Sequence, residues 1–154
     1  MKYKMIILLL FWPLLSSAEN FYKVRLYSVY DGDTFKVSLA CRYPLFCKKI
    51  SVRVNGIDCP ELRTKDICEK QTAQKAKEFS EEFLQKGSII LRNCQKDKYF
   101  RLLCDVFVRF PTEDPTKKQE QNLAQALLNK KLAVPYDGGT KQRVDWCIYY
   151  QQGN

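Results

Sequence analysis

Alternation of apolar and polar residues, typical of β-strands, recurs in the first third of the chain and again beyond its middle. In one such segment Ile50, Val52 and Val54 fall on one face and Arg53 on the other. The pattern predicts five strands rich in β-forming residues and bounded by turn-forming or polar residues, at 21–30, 34–40, 49–57, 88–94 and 102–110.

Two other segments have the apolar spacing of amphipathic helices. The first, 68–87, carries apolar residues at Ala73, Ala76, Phe79 and Phe83 and stops at Gly87. The second is predicted at 120–133, after a polar loop with two prolines. Three strands, a helix, two strands and a helix predict an α+β, mainly β fold. We expect a five-stranded Greek-key barrel of the OB type with two to three helices.

The first 18 residues have the pattern of a secretory signal peptide. Lys2 and Lys4 precede an apolar run that ends at Leu15, and small residues lead to Ala18. The sequence predicts cleavage after Ala18 and a single mature domain over 19–154, with an uncleaved N-terminal anchor as the alternative. We therefore expect an exported protein, in the periplasm or the extracellular medium, without membrane attachment once the signal is removed.

Charge and the absence of histidine restrict the chemistry. The sequence has a formal net charge of +9, and its first 18 residues hold two lysines and no acid, which leaves +7 for the mature chain. Such an excess favours polyanionic partners. Because the chain contains no histidine, catalysis by a Ser-His or Cys-His pair is excluded. Carboxylates, arginine, lysine, tyrosine or a hard metal ion must carry any reaction.

The chain has seven cysteines, all after residue 18, which in an exported protein indicates disulfides. Spacing alone does not fix the connectivity. Short loops favour the pairs Cys41–Cys47 and Cys59–Cys68, a hairpin favours Cys94–Cys104, and Cys147 is left over. The alternative of a zinc site is disfavoured, since there is neither a C-x-x-C pair nor a histidine.

Three short stretches carry candidate chemistry: D-G-D-T at 31–34, R-V-N-G-I-D-C-P-E at 53–61 and D-K-Y-F-R at 97–101. By itself D-G-D is a hairpin signal. Together the stretches offer carboxylates that could share a hard cation and two arginines that match phosphate geometry. This combination is typical of a phosphodiester-cleaving site.

These stretches, in this order and spacing, resemble the staphylococcal nuclease (thermonuclease) family over about residues 21–136. The resemblance implies an OB-fold, calcium-dependent endonuclease that cleaves DNA and RNA by in-line attack of water and leaves 3′-phosphate ends. It implies a monomer with no stable protein partner.

The resemblance also implies roles for individual residues. Asp33, Asp58 and the backbone carbonyl of Cys59 would bind Ca²⁺, with Asp31 supporting the metal through water. Arg53 and Arg101 would clamp the scissile phosphate, and Glu61 would orient or deprotonate the attacking water. Lys98 and Tyr99 would contact the neighbouring phosphate, and Tyr136 would line the base pocket.

Three departures from the family pattern affect these expectations. Cys59 stands where threonine is usual, which suggests that a Cys59–Cys68 disulfide braces the metal loop. Phe100 replaces a glycine, and because phenylalanine adopts positive φ less readily, this change bears on the direction of Arg101. The chain after Tyr136 is short, so we expect an abbreviated C-terminal helix that Cys147 could tether.

Two other functions fit parts of the pattern. An OB-fold module could bind nucleic acid without cutting it, but such a protein would be expected to have lost some of Asp33, Arg53, Asp58, Glu61 and Arg101. A disulfide-rich binding protein could use the acidic loops for structural calcium, which would leave the two arginines unexplained.

Overall fold

A computed structural model describes residues 18–41, 47–113 and 119–152. The predicted signal peptide, apart from Ala18, lies outside the described residues. Eight strands and three helices are found in the described part of the chain: β1 (Glu19–Val29), β2 (Thr34–Leu39), β3 (Ile50–Val54), β4 (Ile57–Asp58), α1 (Ile67–Gln85), β5 (Ser88–Lys96), β6 (Leu102–Phe110), β7 (Gln119–Asn122), α2 (Leu123–Asn129), β8 (Val134–Pro135) and α3 (Trp146–Gln151).

Five of these strands close into the predicted barrel. They pair in the order β3-β2-β1-β5-β6, and a parallel pairing of β3 with β6 closes the ring. The OB-type prediction is confirmed, since this is the order of a Greek-key barrel with a helix between its third and fourth strands. Alternate residues of the strands fill the interior, among them the fully buried Phe35, Val52, Leu91 and Val106.

Helix α1 packs against the core with the face that the apolar spacing predicted. Ala73, Ala76 and Phe83 are buried, whereas Phe79 is only partly buried. The ring centres of Phe79 and Phe83 lie 5.9 Å apart. The helix begins where the Asp66 side chain accepts a hydrogen bond of 2.9 Å from the backbone N–H of Glu69, a favourable N-cap.

Two predicted elements are shorter than expected. The third strand ends at Val54, because Gly56 turns the chain with a φ of 80° and Ile57–Asp58 pairs with β8 instead. The prediction of a helix over 120–133 was wrong at both ends. Its first residues form β7 beside β6, and Asn122 then caps α2 by accepting a hydrogen bond from the backbone N–H of Gln125.

The structure contains two of the suggested disulfides, Cys41–Cys47 and Cys94–Cys104. The suggested Cys59–Cys68 disulfide was wrong, and so was the unpaired Cys147. Cys68, at the start of α1, bonds instead to Cys147 on α3, and Cys59 is a free, buried thiol. The short C-terminal helix is thus tethered by Cys147 against α1, as the sequence suggested. No helix in the described ranges is long and apolar enough to cross a membrane.

Candidate active site

The D-G-D-T stretch forms the tight turn between β1 and β2. The backbone N–H groups of Tyr30 and Asp31 donate to the Thr34 carbonyl at 2.9 and 3.2 Å. Gly32 is required here by close packing, because a Cβ atom would lie 2.7 Å from Cys59 Sγ and 2.8 Å from Ala76 Cβ. The turn is therefore pressed against α1 and against the loop that carries the second acidic stretch.

Asp33 is only 3% exposed. Its Oδ2 atom accepts a hydrogen bond of 2.8 Å from the backbone N–H of Cys59, and its Oδ1 atom accepts one of 3.0 Å from the Thr34 hydroxyl. The same carboxylate forms an ion pair with Arg53. A buried carboxylate needs such partners, and these contacts fix its orientation.

Arg53 projects from β3 between two acidic side chains. Besides the ion pair with Asp33, its Nη2 atom donates to Asp58 Oδ1 at 2.8 Å and to the Ile57 carbonyl at 3.1 Å. The guanidinium thus joins the turn after β1 to strand β4. The structure brings together Asp33, Arg53 and Asp58, as the sequence predicted, with the arginine between the carboxylates.

Burial also changes the ionisation of two neighbouring groups. It raises the pKa of the Asp31 carboxyl, although the nearby charge of Arg53 acts in the opposite direction. It raises the pKa of the Cys59 thiol far above its usual value. Cys59 is therefore a neutral packing residue, and it is the backbone of Cys59 that is available to the site.

Lys141, which the sequence analysis did not single out, lies at the second acidic stretch. Its Nζ atom is 2.8 Å from Glu61 Oε1 and 3.2 Å from Asp58 Oδ1. Burial alone would lower the pKa of Lys141, but the hydrogen bond with Glu61 and the charge of Asp58 raise it. A lysine in a polar, glycine-containing tail gives no pattern that distinguishes it from solvated lysines.

The third stretch forms the hairpin between β5 and β6. Asp97 Oδ1 accepts hydrogen bonds from the backbone N–H groups of Tyr99 and Arg101 at 2.8 and 2.9 Å, and Asp97 Oδ2 accepts from Arg101 Nε at 2.8 Å. Burial raises the pKa of Asp97, but these hydrogen bonds outweigh it and lower the pKa overall. They use Arg101 Nε and leave both η nitrogens without an acceptor in the described part of the chain.

Phe100 adopts the left-handed conformation that its position requires, with a φ of 61°. Its side chain is 82% exposed. The turn therefore keeps the geometry suited to glycine, and Asp97 holds Arg101 in place despite the substitution.

These side chains surround one cleft of about 560 Å³. Tyr99, 64% exposed, and Lys98 line it. Tyr136 also lines it, and its hydroxyl donates to the Gly139 carbonyl at 2.9 Å. The lining includes every site residue that the sequence predicted: Asp31, Asp33, Arg53, Asp58, Cys59, Glu61, Lys98, Tyr99, Arg101 and Tyr136. Sequence reasoning missed Tyr30, Arg63, Asp97 and Lys141, which also line it.

The donors at this cleft fit a hard cation better than a soft one. Within the described ranges, no three Asp, Glu, Cys or His side chains converge on one point, so a metal would depend on backbone and water oxygens as well. Carboxylate, carbonyl and water oxygens are the ligands of calcium. Asp58 Oδ2 accepts no hydrogen bond from the described residues, so this oxygen is available to a cation.

A closed OB barrel with arginines and carboxylates in one surface cleft defines a protein suited to binding a phosphodiester chain. The chain belongs to the staphylococcal nuclease homologue family, whose model matches residues 51–150. The matched span includes the second and third stretches and Lys141, but begins after Asp31 and Asp33. Comparison with curated proteins gives no match. Family membership indicates a nuclease-like hydrolase that acts on nucleic acids.

Proposed function

We propose that the protein is an exported, calcium-dependent endonuclease that hydrolyses the phosphodiester bonds of DNA and RNA and leaves 3′-phosphate ends. The observation that carries this proposal is the convergence of Asp33, Arg53, Asp58, Glu61 and Arg101, from three separate segments, on one cleft. A protein that only bound nucleic acid would not need an acidic group beside two arginines.

Asp33, Asp58 and the Cys59 carbonyl would hold Ca²⁺, and Asp31 would support it through water. Bound there, the cation would polarise the phosphate and help to position water. In the structure the η nitrogens of Arg53 contact Asp33 and Asp58, so they can turn to a phosphate only by giving up part of these contacts.

The side chains would act on the phosphate as follows. Arg53 and Arg101 would donate hydrogen bonds to the equatorial oxygens and neutralise their growing charge. Glu61 would accept a hydrogen bond from the attacking water and align it with the P–O5′ bond. The water oxygen bonds to phosphorus and the water loses a proton, while the P–O5′ bond breaks and the 5′-oxygen gains a proton, which leaves a 3′-phosphate and a 5′-hydroxyl.

The cleft walls would hold the substrate on either side of this phosphate. Lys98 and Tyr99 would contact the neighbouring phosphate, and Tyr136 would stack against a base. Exposed aromatic rings next to basic side chains are typical of surfaces that bind single strands. The Nζ atom of Lys98 lies 5.2 Å and the Cζ atom of Arg101 lies 5.3 Å from the centre of the Tyr99 ring.

The remaining parts of the proposal concern the protein as a whole. We propose that residues 1–18 are a signal peptide and that 19–154 form the mature domain, active as a monomer. Three disulfides among the described cysteines are compatible with export to the periplasm or the extracellular medium.

The test is hydrolysis of single-stranded DNA and RNA by the oxidised mature protein, with calcium or with excess chelator. We expect cutting that requires calcium, products with 3′-phosphate ends, and loss of cutting in Asp33→Ala after its folding has been checked. Binding without cutting in calcium would contradict the proposal and indicate an OB-fold binding module. Calcium-dependent stability without any interaction with nucleic acid would indicate a structural metal.

A further inference from the structure

Lys141 connects the two acidic groups of the second stretch. Its Nζ atom contacts Glu61 Oε1 at 2.8 Å and Asp58 Oδ1 at 3.2 Å. Among the described residues these contacts leave Glu61 Oε2 and Asp58 Oδ2 without a hydrogen-bond donor. Lys141 therefore fixes one oxygen of each carboxylate and leaves the other oxygen available to the cleft.

Glu61 depends on this contact for its orientation. Its side chain is 59% exposed, and among the described residues Lys141 is the only group that donates a hydrogen bond to it. A glutamate with this much exposure samples many rotamers unless a partner holds it. Asp58 is better restrained, because Arg53 donates to the same Oδ1 atom at 2.8 Å.

The segment that carries Lys141 is fastened at both ends. On one side the backbone N–H of Tyr136 donates to the Gly56 carbonyl at 3.0 Å, next to the pairing of β8 with β4. On the other side Cys147 is bonded to Cys68 at the start of α1. Since α3 has six residues and so short a helix is marginal alone, the disulfide is a principal anchor of this end, together with the buried Trp146.

We infer that Lys141, held at the cleft by the Cys68–Cys147 disulfide, is a positioning residue that orients Glu61 for hydrolysis. This inference rests on the proposed function. In this proposal Lys141 acts through Glu61 and not on the phosphate itself, so its contribution appears in the rate of the chemical step and not in substrate binding. The disulfide acts through Lys141, by fixing the segment on which it lies.

The first arm of the test compares Lys141→Met, Lys141→Arg and wild type for kcat and KM on single-stranded DNA in calcium. For Lys141→Met we expect kcat to fall about tenfold with KM nearly unchanged, as for partners that orient catalytic groups. Lys141→Arg should restore most of kcat, because the guanidinium keeps the charge and the donors. Lys130→Met, which removes the charge of an exposed lysine outside the cleft, is the matched control and should behave as wild type.

The second arm measures calcium affinity by calorimetry in the absence of nucleic acid. Removing the positive charge beside Asp58 should leave the affinity unchanged or tighten it by up to about tenfold. A general loss of structure would weaken calcium binding together with kcat, so a fall in kcat without weaker binding separates positioning from folding. Weaker calcium binding in Lys141→Met would overturn the inference.

The third arm is a double-mutant cycle with Cys68→Ser/Cys147→Ser. Loss of the disulfide should lower kcat in the wild-type background but add little to Lys141→Met, because both changes release the same contact. Fully additive losses, or a kcat for Lys141→Met equal to or above that of wild type, would overturn the inference while leaving the nuclease intact. If wild type does not cut DNA or RNA at all, the proposed function fails, and the inference fails with it.

Discussion

The Oδ2 atom of Asp33 accepts a hydrogen bond of 2.8 Å from the backbone N–H of Cys59. This contact joins the turn after β1 to the loop after β4, two of the three stretches that carry the candidate chemistry. It places the Asp33 carboxylate beside Cys59, the residue whose carbonyl is the proposed metal ligand. The spacing between these two groups is therefore set by the barrel and not by either loop alone.

Gly32 lets the two loops approach each other, so we expect Gly32→Ala to be destabilising. A Cβ atom at this position would lie 2.7 Å from Cys59 Sγ and 2.8 Å from Ala76 Cβ. Overpacking of this kind costs about 1–3 kcal/mol, and the displaced turn should also lower hydrolysis. The measurement is the free energy of unfolding in urea together with kcat/KM.

The control is Gly139→Ala, where the nearest atom to a new Cβ is a flexible Asp137 oxygen at 3.1 Å. We expect it to change the free energy of unfolding little. Cys59→Ala should relieve part of the cost of Gly32→Ala, because Sγ is one of the two close atoms. Equal stability of Gly32→Ala and wild type would contradict the packing argument.

Arg53→Ala should lower kcat on the order of a hundredfold or more, as with other lost donors to a developing oxyanion. It should also destabilise the fold by roughly 3 kcal/mol, because the buried Asp33 would lose its ion-pair partner. The rate is measured at saturating substrate and at a temperature where calorimetry shows the variant folded.

Arg109→Ala is the matched control for this experiment. Arg109 is also paired with a carboxylate, at 2.7 Å from Glu120, but does not line the cleft. Its kcat should therefore equal that of wild type. Activity of Arg53→Ala within about tenfold of wild type would contradict the proposed role of Arg53.

Much of the fold was predictable because the barrel strands have strong alternation and α1 has a regular apolar face. The errors arose where tertiary contacts override local preference. Glu120 lies in a segment of helix-forming residues, yet it belongs to β7, where it pairs with Arg92 and Arg109 across neighbouring strands. No single-segment pattern contains that information.

The candidate site was predictable to the extent that its residues lie in short stretches of fixed spacing. Lys141 was missed because it is 80 residues from Glu61 in sequence, and they are brought together by the pairing of β8 with β4 and by the Cys68–Cys147 disulfide. The pairing of Cys68 with Cys147 was missed for the same reason, since spacing favours nearby cysteines and these two are 79 residues apart.

Phe100 holds a backbone conformation that costs a residue with a Cβ atom about 1–2 kcal/mol, with a φ of 61°. We therefore expect Phe100→Gly to be more stable than Phe100→Ala by about 1 kcal/mol. In both variants the Phe100 ring is lost, together with its contact with Lys96 Nζ, 4.5 Å from the ring centre. The difference in stability between the two variants therefore reports the cost of the backbone conformation. Phe100→Gly should keep wild-type kcat, because Asp97 continues to hold Arg101.

The measurement is thermal unfolding of the two variants side by side, with kcat on single-stranded DNA. A more stable Phe100→Ala would show that the backbone is not strained at this turn. A large and equal loss of kcat in both variants would show that the ring itself contributes to the cleft.

Glu120 is the centre of an ion-pair cluster on strands β5, β6 and β7. Its Oε2 atom lies 2.6 Å from Arg92 Nη2 and its Oε1 atom 2.7 Å from Arg109 Nη2. The hydrogen bond from Arg109, together with Arg92, lowers the pKa of Glu120 below its usual value of 4.5. A carboxylate whose pKa is lowered by folding stabilises the folded state above its unfolded pKa.

We expect Glu120→Gln to lower the free energy of unfolding at pH 7 by about 1 kcal/mol, which is the upper end of the range of stabilisation by exposed ion pairs. The difference from wild type should be constant above pH 4.5, the usual pKa of the group, and should vanish as the pH falls through the lowered folded pKa. It should also shrink in high salt, because the pairs are partly exposed. The measurement is urea unfolding across this pH range, with Glu82→Gln, an exposed glutamate of α1, as the control. A difference that persists unchanged at acid pH would show that packing of the side chain, and not its charge, accounts for the effect.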